Sequence, residues 1–399
     1  MGEWRETTLG EHINYKKGFA FKSKFYQDEG RLIVRVSDTT SNSINVVSCV
    51  RIDAHLAKDF SEYELHYGDI VIMTVGSWPD NPASVVGKVI KVPKSAEDAL
   101  LNQNAVRIKS NGEIDNTFLY YRLKSQIFSM YLVANAQGSA NQASITLEDI
   151  FSYMFLLPSK TEQKAIASVL SSLDDKINLL HRQNKTLEQM AETLFRQWFV
   201  EEAEEDWEIV KIADFVTTNC KSITRNNVYK TIQYLDTGSL IEGKIESLQE
   251  IEFQNAPSRA KRLVQHNDVL ISTVRPNQRH YGIIKNPIDN LVVSTGFCVI
   301  TCEKIDSHFI YVLLSTSDMT EYLHSIAEGS TSTYPSLKPS DIESLEFQLP
   351  PNYKLADFSY YCEDAWNKIN NNQIQIHTLE KLRDTLLPKL MSGEIRVKI

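Results

Sequence analysis

The chain has 399 residues, 42% of them hydrophobic and 23% charged, and a formal net charge of −9 at pH 7. It is too long for one compact core, has the composition of a globular protein, and contains no apolar run of membrane-span length. Five scattered cysteines, Cys49, Cys220, Cys298, Cys302 and Cys362, argue against a disulfide framework, and no histidine follows Cys298 and Cys302 at zinc-ligand spacing. The N-terminus lacks an apolar core behind a basic patch, so the expected location is cytoplasmic. The acidic balance is partly concentrated in Glu201, Glu202, Glu204, Glu205 and Asp206, which read as a solvated linker. Local patches, not total charge, therefore decide whether nucleic acid can bind.

The first segment, residues 1–157, opens at Trp4 and reads as short strands at 32–36, 69–75, 84–92 and 105–108. Helices are expected at 117–124 and 126–134. The run from Tyr15 to Tyr26 interleaves Lys16, Lys17, Lys22 and Lys24 with aromatic rings. Ammonium groups suit phosphate oxygens, and Gly18 allows close backbone approach. The competing reading is an amphipathic edge with solvated lysines. Residues 74–82 form a turn-rich loop carrying Ser77, Trp78, Asp80 and Asn81, side chains able to address base edges.

Residues 158–206 contain a long helix and the acidic linker. Ile166, Leu170, Leu173, Ile177, Leu180, Leu187, Ala191, Leu194 and Trp198 recur in alternating steps of four and three, with Asn184 in the slot between Leu180 and Leu187. That is a sustained heptad, a narrow apolar seam that needs a partner helix. The competing reading, an ordinary core helix, usually shows a wider apolar face.

Residues 207–350 repeat the first segment. Trp207 opens them, and His266-Asn267-Asp268 before an apolar strand matches Tyr67-Gly68-Asp69. Gly329-Ser330 before Leu337 and Asp341 matches Gly138-Ser139 before Ile145 and Asp149. Strands are expected at 230–236, 268–274, 281–285 and 291–301, and helices at 307–315 and 318–326. Arg259, Lys261 and Arg262 precede the strand at 268, and Arg275, Asn277, Gln278, Arg279 and His280 follow it. Arginine and the side-chain amides have bidentate geometry for guanine and adenine edges, and Pro276 marks a surface loop.

Residues 351–399 hold the second long helix and a tail. Asp175-Lys176-Ile177-Asn178 reappears as Asn367-Lys368-Ile369-Asn370, and Thr186-Leu187-Glu188 as Thr378-Leu379-Glu380, each displaced by 192 positions. Its seam runs through Phe358, Cys362, Ala365, Ile369, Asn372, Ile376, Leu379, Leu386 and Leu390, with Arg383 breaking the apolar pattern. A buried Asn is costly unless a polar group meets it. Setting Asn184 against Asn372 in an antiparallel pair places Leu180 by Ile376, Leu187 by Ile369, Ile177 by Leu379, Leu170 by Leu386 and Leu194 by Cys362. A helix of about 38 residues spans roughly 57 Å, so two similar heads at opposite ends would be held at fixed separation. The expected fold class is α+β: two similar mixed α/β domains separated by an antiparallel two-helix coiled coil, with a pseudo-twofold internal repeat.

No phosphate-binding glycine loop, zinc-protease helix or nucleophile elbow occurs. The run LDTGSLIEGK places Asp236 near Glu242 and Lys244, as in metal-dependent nucleases, but Gly238 and Gly243 favour a hairpin turn. No catalytic residues and no metal ligands are therefore assigned. Another reading consistent with the layout is a structural adaptor whose heads bind proteins.

The layout resembles the specificity subunit of type I restriction–modification systems. The resemblance rests on the Trp that opens each half, the run from SRAKR through DVLISTVRPNQRHYGI at 258–283, and the Leu-Pro leading into each helix. The closing LRDTLLPKLMSGEI at 382–395 is the most specific of these. It implies two target-recognition domains, each reading half of a split, asymmetric site in double-stranded DNA. The helices would set the gap and dock two adenine-N6 methyltransferase subunits, and motor-nuclease subunits would join the complex. S-adenosylmethionine, ATP and Mg would then belong to partners, and this chain would hold no cofactor. Lys22 and Lys24 are implied for backbone contact, and residues 77–81 and 275–280 for bases.

Overall fold

The structure is a computed structural model and describes residues 3–40, 42–78, 86–139, 142–224, 229–330 and 334–398. The four sequence segments fall into two compact units: Met1–Asn178 with Ile376–Ile399, and Leu179–Gln375. Each unit therefore combines one globular segment with a stretch of both long helices. Among the described residues no helix is long and apolar enough to cross a membrane.

The first unit is built on a four-stranded antiparallel sheet in the order Ile13–Lys17, Ala105–Ser110, Ile70–Met73, Val89–Lys91. Ile70–Met73 is buried throughout because both faces of the sheet are covered. Its side chains alternate. Ile70 and Ile72 join the cluster of Phe118, Leu119 and Phe128, while Val71 and Met73 join that of Val34, Leu65 and Leu101. Val50–Ile52, Arg31–Val34 and Leu100–Leu101 form a separate mixed three-stranded sheet. Arg5–Thr8 pairs with Met154–Leu157, which leads into the first long helix.

The second unit repeats these choices at corresponding positions of its main sheet and first helices. Its main sheet runs Val216–Thr218, Phe297–Cys302, Val269–Ser272, Tyr281–Ile283, and Val269 and Ile271 face one cluster while Leu270 faces another. Both central strands follow the same turn. The Asp69 carboxylate accepts the His66 N–H at 2.9 Å with Gly68 at φ 84°, and Asp268 accepts the Gln265 N–H at 2.8 Å with Asn267 at φ 67°. Gly and Asn are the residues that take this conformation most readily. Helix starts correspond too. Asp115 and Asp306 each accept two backbone N–H groups, at the heads of Asn116–Lys124 and Ser307–Ser315, and Ser125 and Thr316 cap the next helices.

One expected strand divides. The apolar run 291–301 forms Leu291–Ser294, parallel to Thr231–Leu235, and Phe297–Cys302, antiparallel to Val269–Ser272. The turn at Thr295–Gly296 passes the chain from one sheet to the other. A Cβ on Gly296 would lie 2.7 Å from the Thr237 side chain, so the crossing is too tight for a larger residue.

The first long helix spans Lys160–Arg196 and continues as a π turn over Gln197–Glu201, and the second spans Asn352–Ser392. Within the second unit Asn372 Nδ2 donates to Asn184 Oδ1 at 2.7 Å, with both residues buried. Phe195 and Phe199 meet Phe358 further along, so these stretches run antiparallel. Within the first unit Arg383 reaches Asp174 at 2.9 Å, and the Tyr121 hydroxyl donates to the same carboxylate at 2.6 Å. The arginine that breaks the seam thus has a charged partner. Ile177, Leu180, Ile369 and Ile376 are buried, whereas Leu173, Leu187, Leu194, Leu379 and Leu386 are half-buried. Near the helix ends the deepest positions shift to Phe195, Phe199, Leu387 and Met391, where the helices pack on globular cores and not only on each other. The π turn, with its wider winding, accompanies this change at Phe199.

Candidate nucleic-acid interface

In both units the central strand runs out into a loop held by a second, distant segment. In the first, the Ile145 N–H donates to the Thr74 carbonyl at 2.9 Å; in the second, the Leu337 N–H donates to Thr273 at 2.7 Å. These paired segments define one candidate site per unit.

In the first unit the strand Val75–Gly76 joins a polar ribbon, pairing with Gln142–Ser144, which pairs with Gln137–Ser139. Gln137, Ser139, Gln142 and Ser144 are exposed. Their amides and hydroxyls can both donate and accept. Gly138 permits the ribbon's close approach, since a Cβ there would lie 2.0 Å from the Gln142 carbonyl oxygen. Trp78 is half-buried against the main core, and its indole N–H donates to the Ser139 carbonyl at 2.8 Å. Its one donor is already engaged, so Trp78 acts as a clamp on the ribbon and not as a hydrogen-bonding reader. The Ser77 carbonyl accepts the Val86 N–H at 3.0 Å. Asp80 and Asn81 lie outside the described residues.

The lysine run lies on an adjoining segment. Gly18 packs on the turn at Asn102, where an added Cβ would meet the carbonyl oxygen at 2.0 Å, and Asn104 next to that turn accepts the Thr74 N–H at 2.9 Å. Lys16 is paired with Glu62 and lies 4.6 Å from the centre of the Tyr63 ring, so its charge is largely answered within the fold. Lys17, Lys22 and Lys24 are exposed, with Lys24 over the Phe25 ring at 5.0 Å. Of the four, these three keep an ammonium available for phosphate.

In the second unit, Arg275 and Arg279 take left-handed backbone angles, φ 50° and 55°, around the short helix Pro276–Gln278. Such angles cost about 1 kcal/mol or more each for a side-chain-bearing residue. They are held by the Arg275 N–H donating to Pro335, the Gln278 N–H to Arg275 and the Arg279 N–H to Pro276. Pro276 is buried and anchors the loop, while Asn277 and Gln278 are exposed. The Arg275 guanidinium stacks on Tyr334 with 4.6 Å to the ring centre.

The remainder of this cluster turns inward. Arg279 donates to Glu242 and to the Ser317 hydroxyl, both at 3.2 Å, and His280 Nδ1 lies 2.8 Å from the Leu240 carbonyl oxygen. Arg279 and His280 therefore support the loop, whereas Arg275, Asn277 and Gln278 present it. Arg259, Lys261 and Arg262 sit on or beside the edge strand Ala260–Leu263. The Arg259 carbonyl accepts the Thr295 N–H at 2.8 Å, and Gly296 accepts the Thr273 N–H at 2.8 Å, which links this edge to the Arg275 loop. Arg259 and Lys261 are exposed. Arg262 is half-buried, its Nε has no hydrogen-bond partner among the described residues, and burial lowers its pKa.

The nuclease-like trio does not form a metal site. Asp236 accepts from the Ser239 N–H, the Ser239 hydroxyl and Gln249, while Glu242 pairs with Arg279 and Lys244 with Glu246 at 3.0 Å. Each carboxylate is committed to a different neighbour, and Glu242 and Gly243, both at positive φ, form the hairpin turn. The cysteines are unbridged, and burial pushes the Cys298 and Cys302 thiols up to about 12.

Two duplicated α+β units, each offering polar loop residues beside exposed cations, are a recognition architecture. The chain belongs to the type I restriction modification DNA specificity domain family, whose pattern it matches over residues 1–189 and again over 204–383. It is 30% identical over 328 residues to the MjaIX type I restriction enzyme specificity subunit of Methanocaldococcus jannaschii, covering 74% of this chain and 73% of that one. The MjaVIII specificity subunit of the same organism is 23% identical over 329 residues, 75% of each chain. The fold is shared with the type I restriction–modification S subunit from M. genitalium, at TM-score 0.57 and 18% identity over 97% of this chain and 96% of that one.

Proposed function

We propose that this chain is the DNA-specificity subunit of a type I restriction–modification complex. Each unit reads one half of a bipartite, asymmetric duplex target, and the paired helices set the unread gap. The observation that carries this reading is the duplicated loop site: the same strand exit, held by the same distant segment, bears different side chains in the two units. Trp78 and the Gln137–Ser144 ribbon in one, and Arg275, Asn277 and Gln278 in the other, suit two unlike half-sites. Exposed Lys17, Lys22, Lys24, Arg259 and Lys261 supply phosphate contacts that position each unit.

The chain would be non-catalytic. Two adenine-N6 methyltransferase subunits would dock on the helices and bring S-adenosylmethionine. Motor-nuclease subunits would bring ATP and Mg, and the complex would work in the cytoplasm. The adaptor reading leaves the arginine, asparagine and glutamine of the Arg275 loop without a purpose.

The test is to co-express the chain with its methyltransferase partner and map methylated adenines in the host DNA. One split motif with two distinct halves is expected, together with sequence-specific retention of that duplex. Retention without sequence preference, or none at low salt, would refute the reading.

A further inference from the structure

A cavity of about 530 Å³ opens within the second unit, between the first long helix, the hairpin of Leu240–Ile241 with Lys244–Ile245, and the helix Ser307–Ser315. It adjoins the base of the Arg275 loop through Arg279, but Glu188, Glu192, Tyr311 and Trp366 on its walls have no role in the site described above. Its walls combine carboxylates, Glu188, Glu192 and Glu242, with aromatic rings, Tyr281, Tyr311 and Trp366. Two of its cations are neutralised locally, Arg279 by Glu242 and Lys244 by Glu246. Glu188 and Glu192 then face a single further lysine, Lys185, and among the described residues neither forms an ion pair. With both of these carboxylates ionised and His181 neutral, the balance is negative.

A second observation points to a ligand. The Tyr311 side chain is only 5% exposed, and its hydroxyl, which forms no hydrogen bond among the described residues, opens into the cavity. A phenol held in an otherwise buried ring offers that one polar atom to whatever fills the cavity. The hydroxyl and the Glu188 carboxylate converge on the same wall. A Cβ on Gly243 would lie 2.9 Å from Tyr311 Oη and 3.3 Å from Glu188 Oε1, so the glycine keeps that corner open.

We propose that this cavity binds a linear aliphatic diamine, one ammonium held by the Glu188 carboxylate and the Tyr311 hydroxyl against the aromatic wall. An ammonium supplies the donors that the carboxylates and the phenol oxygen need, and the ring faces attract its charge. The alkyl chain suits the rings, and a second ammonium suits Glu192. A metal ion suits the site poorly. Among the described residues the one group of acidic, histidine or cysteine ligands close enough to share an ion is His66, Glu97 and Asp98, in the other unit. The cavity's carboxylates do not form such a group.

Calorimetric titration of the full chain with 1,4-diaminobutane, 1,4-butanediol and magnesium chloride tests this. Saturable one-to-one binding of the diamine is expected, with Kd on the order of 0.1–1 mM, no binding of the diol or magnesium, and a change in Trp366 emission that Trp366→Phe removes. Glu188→Gln should weaken binding about tenfold or more, and Tyr311→Phe severalfold. Glu192→Gln serves as a second carboxylate variant if Glu188→Gln does not fold by circular dichroism. Diamine heats unchanged in both carboxylate variants, equal binding of the diol, or no saturation would each overturn the proposal.

Discussion

Arg275 shows how one side chain can be both costly and useful. Its left-handed backbone is held by a contact to Pro335, and its guanidinium is stacked on Tyr334 and so pre-oriented. A planar fork fixed in this way can address a guanine edge with little further ordering. Arg275→Ala should relax reading of one half-site by about 1–3 kcal/mol per base pair and leave the other half unchanged, as read from the methylated-adenine motif. Loss of both halves would mean that Arg275 supports folding instead. At Glu188, burial first and Glu242 second push the carboxyl up to about 7. The unfolded value is about 4.3, so the folded state holds this proton more tightly. The stability from this group is full below pH 4.3 and is lost as pH rises through 7. Glu188→Gln should therefore raise the unfolding free energy measured by urea denaturation at pH 8, by on the order of 2 kcal/mol after allowance for partial solvation, and change it little at pH 4. Equal shifts at both pH values would contradict this.

Among the elements, the long helices were the most legible in sequence, because a heptad is a local pattern. The Asn184–Asn372 bond lies in the register that pairs the two polar slots. Asn184→Leu alone should destabilise the chain by about 1–3 kcal/mol, since Asn372 stays buried with no partner. Adding Asn372→Leu should restore stability while loosening the choice of register. Thermal unfolding of the single and double variants checks both statements. The central strands and capped helices were also readable, from their buried runs and Asp or Ser starts. The split at Gly296 was not, because an unbroken apolar run does not say which sheet each part joins. The loop sites were half legible. Composition marked residues 275–280, but only tertiary pairing separates outward Arg275, Asn277 and Gln278 from inward Arg279 and His280. The polar ribbon at Gln137–Ser144 and the Tyr334 platform were missed as site residues, since their neighbours lie about 60 positions away in sequence. The Gly-Ser repeat before Ile145 and Leu337 was the available signal.

For the whole molecule, the spacer reading makes a mechanical prediction. Inserting one heptad into each long helix, between Asn178 and Leu179 and between Gln375 and Ile376, keeps the seam in phase and adds about 10.5 Å. At 3.4 Å per base pair the gap in the methylated motif should grow by about three base pairs, with both half-sites unchanged. Altered half-site letters would count against a ruler.

The first unit is also discontinuous. Its core takes Leu387, Leu390 and Met391 from the far end of the chain, and the buried Arg122 donates to the Met391 carbonyl at 2.7 Å. On the ribosome residues 1–178 must therefore wait for residues 376–399, while the second unit, a single stretch, can close beforehand. A message ending at codon 375 would yield one finished unit and one with the core around Ile166 and Leu170 short of Leu387, Leu390 and Met391. Such a chain would expose apolar surface that the complete one covers, which favours aggregation.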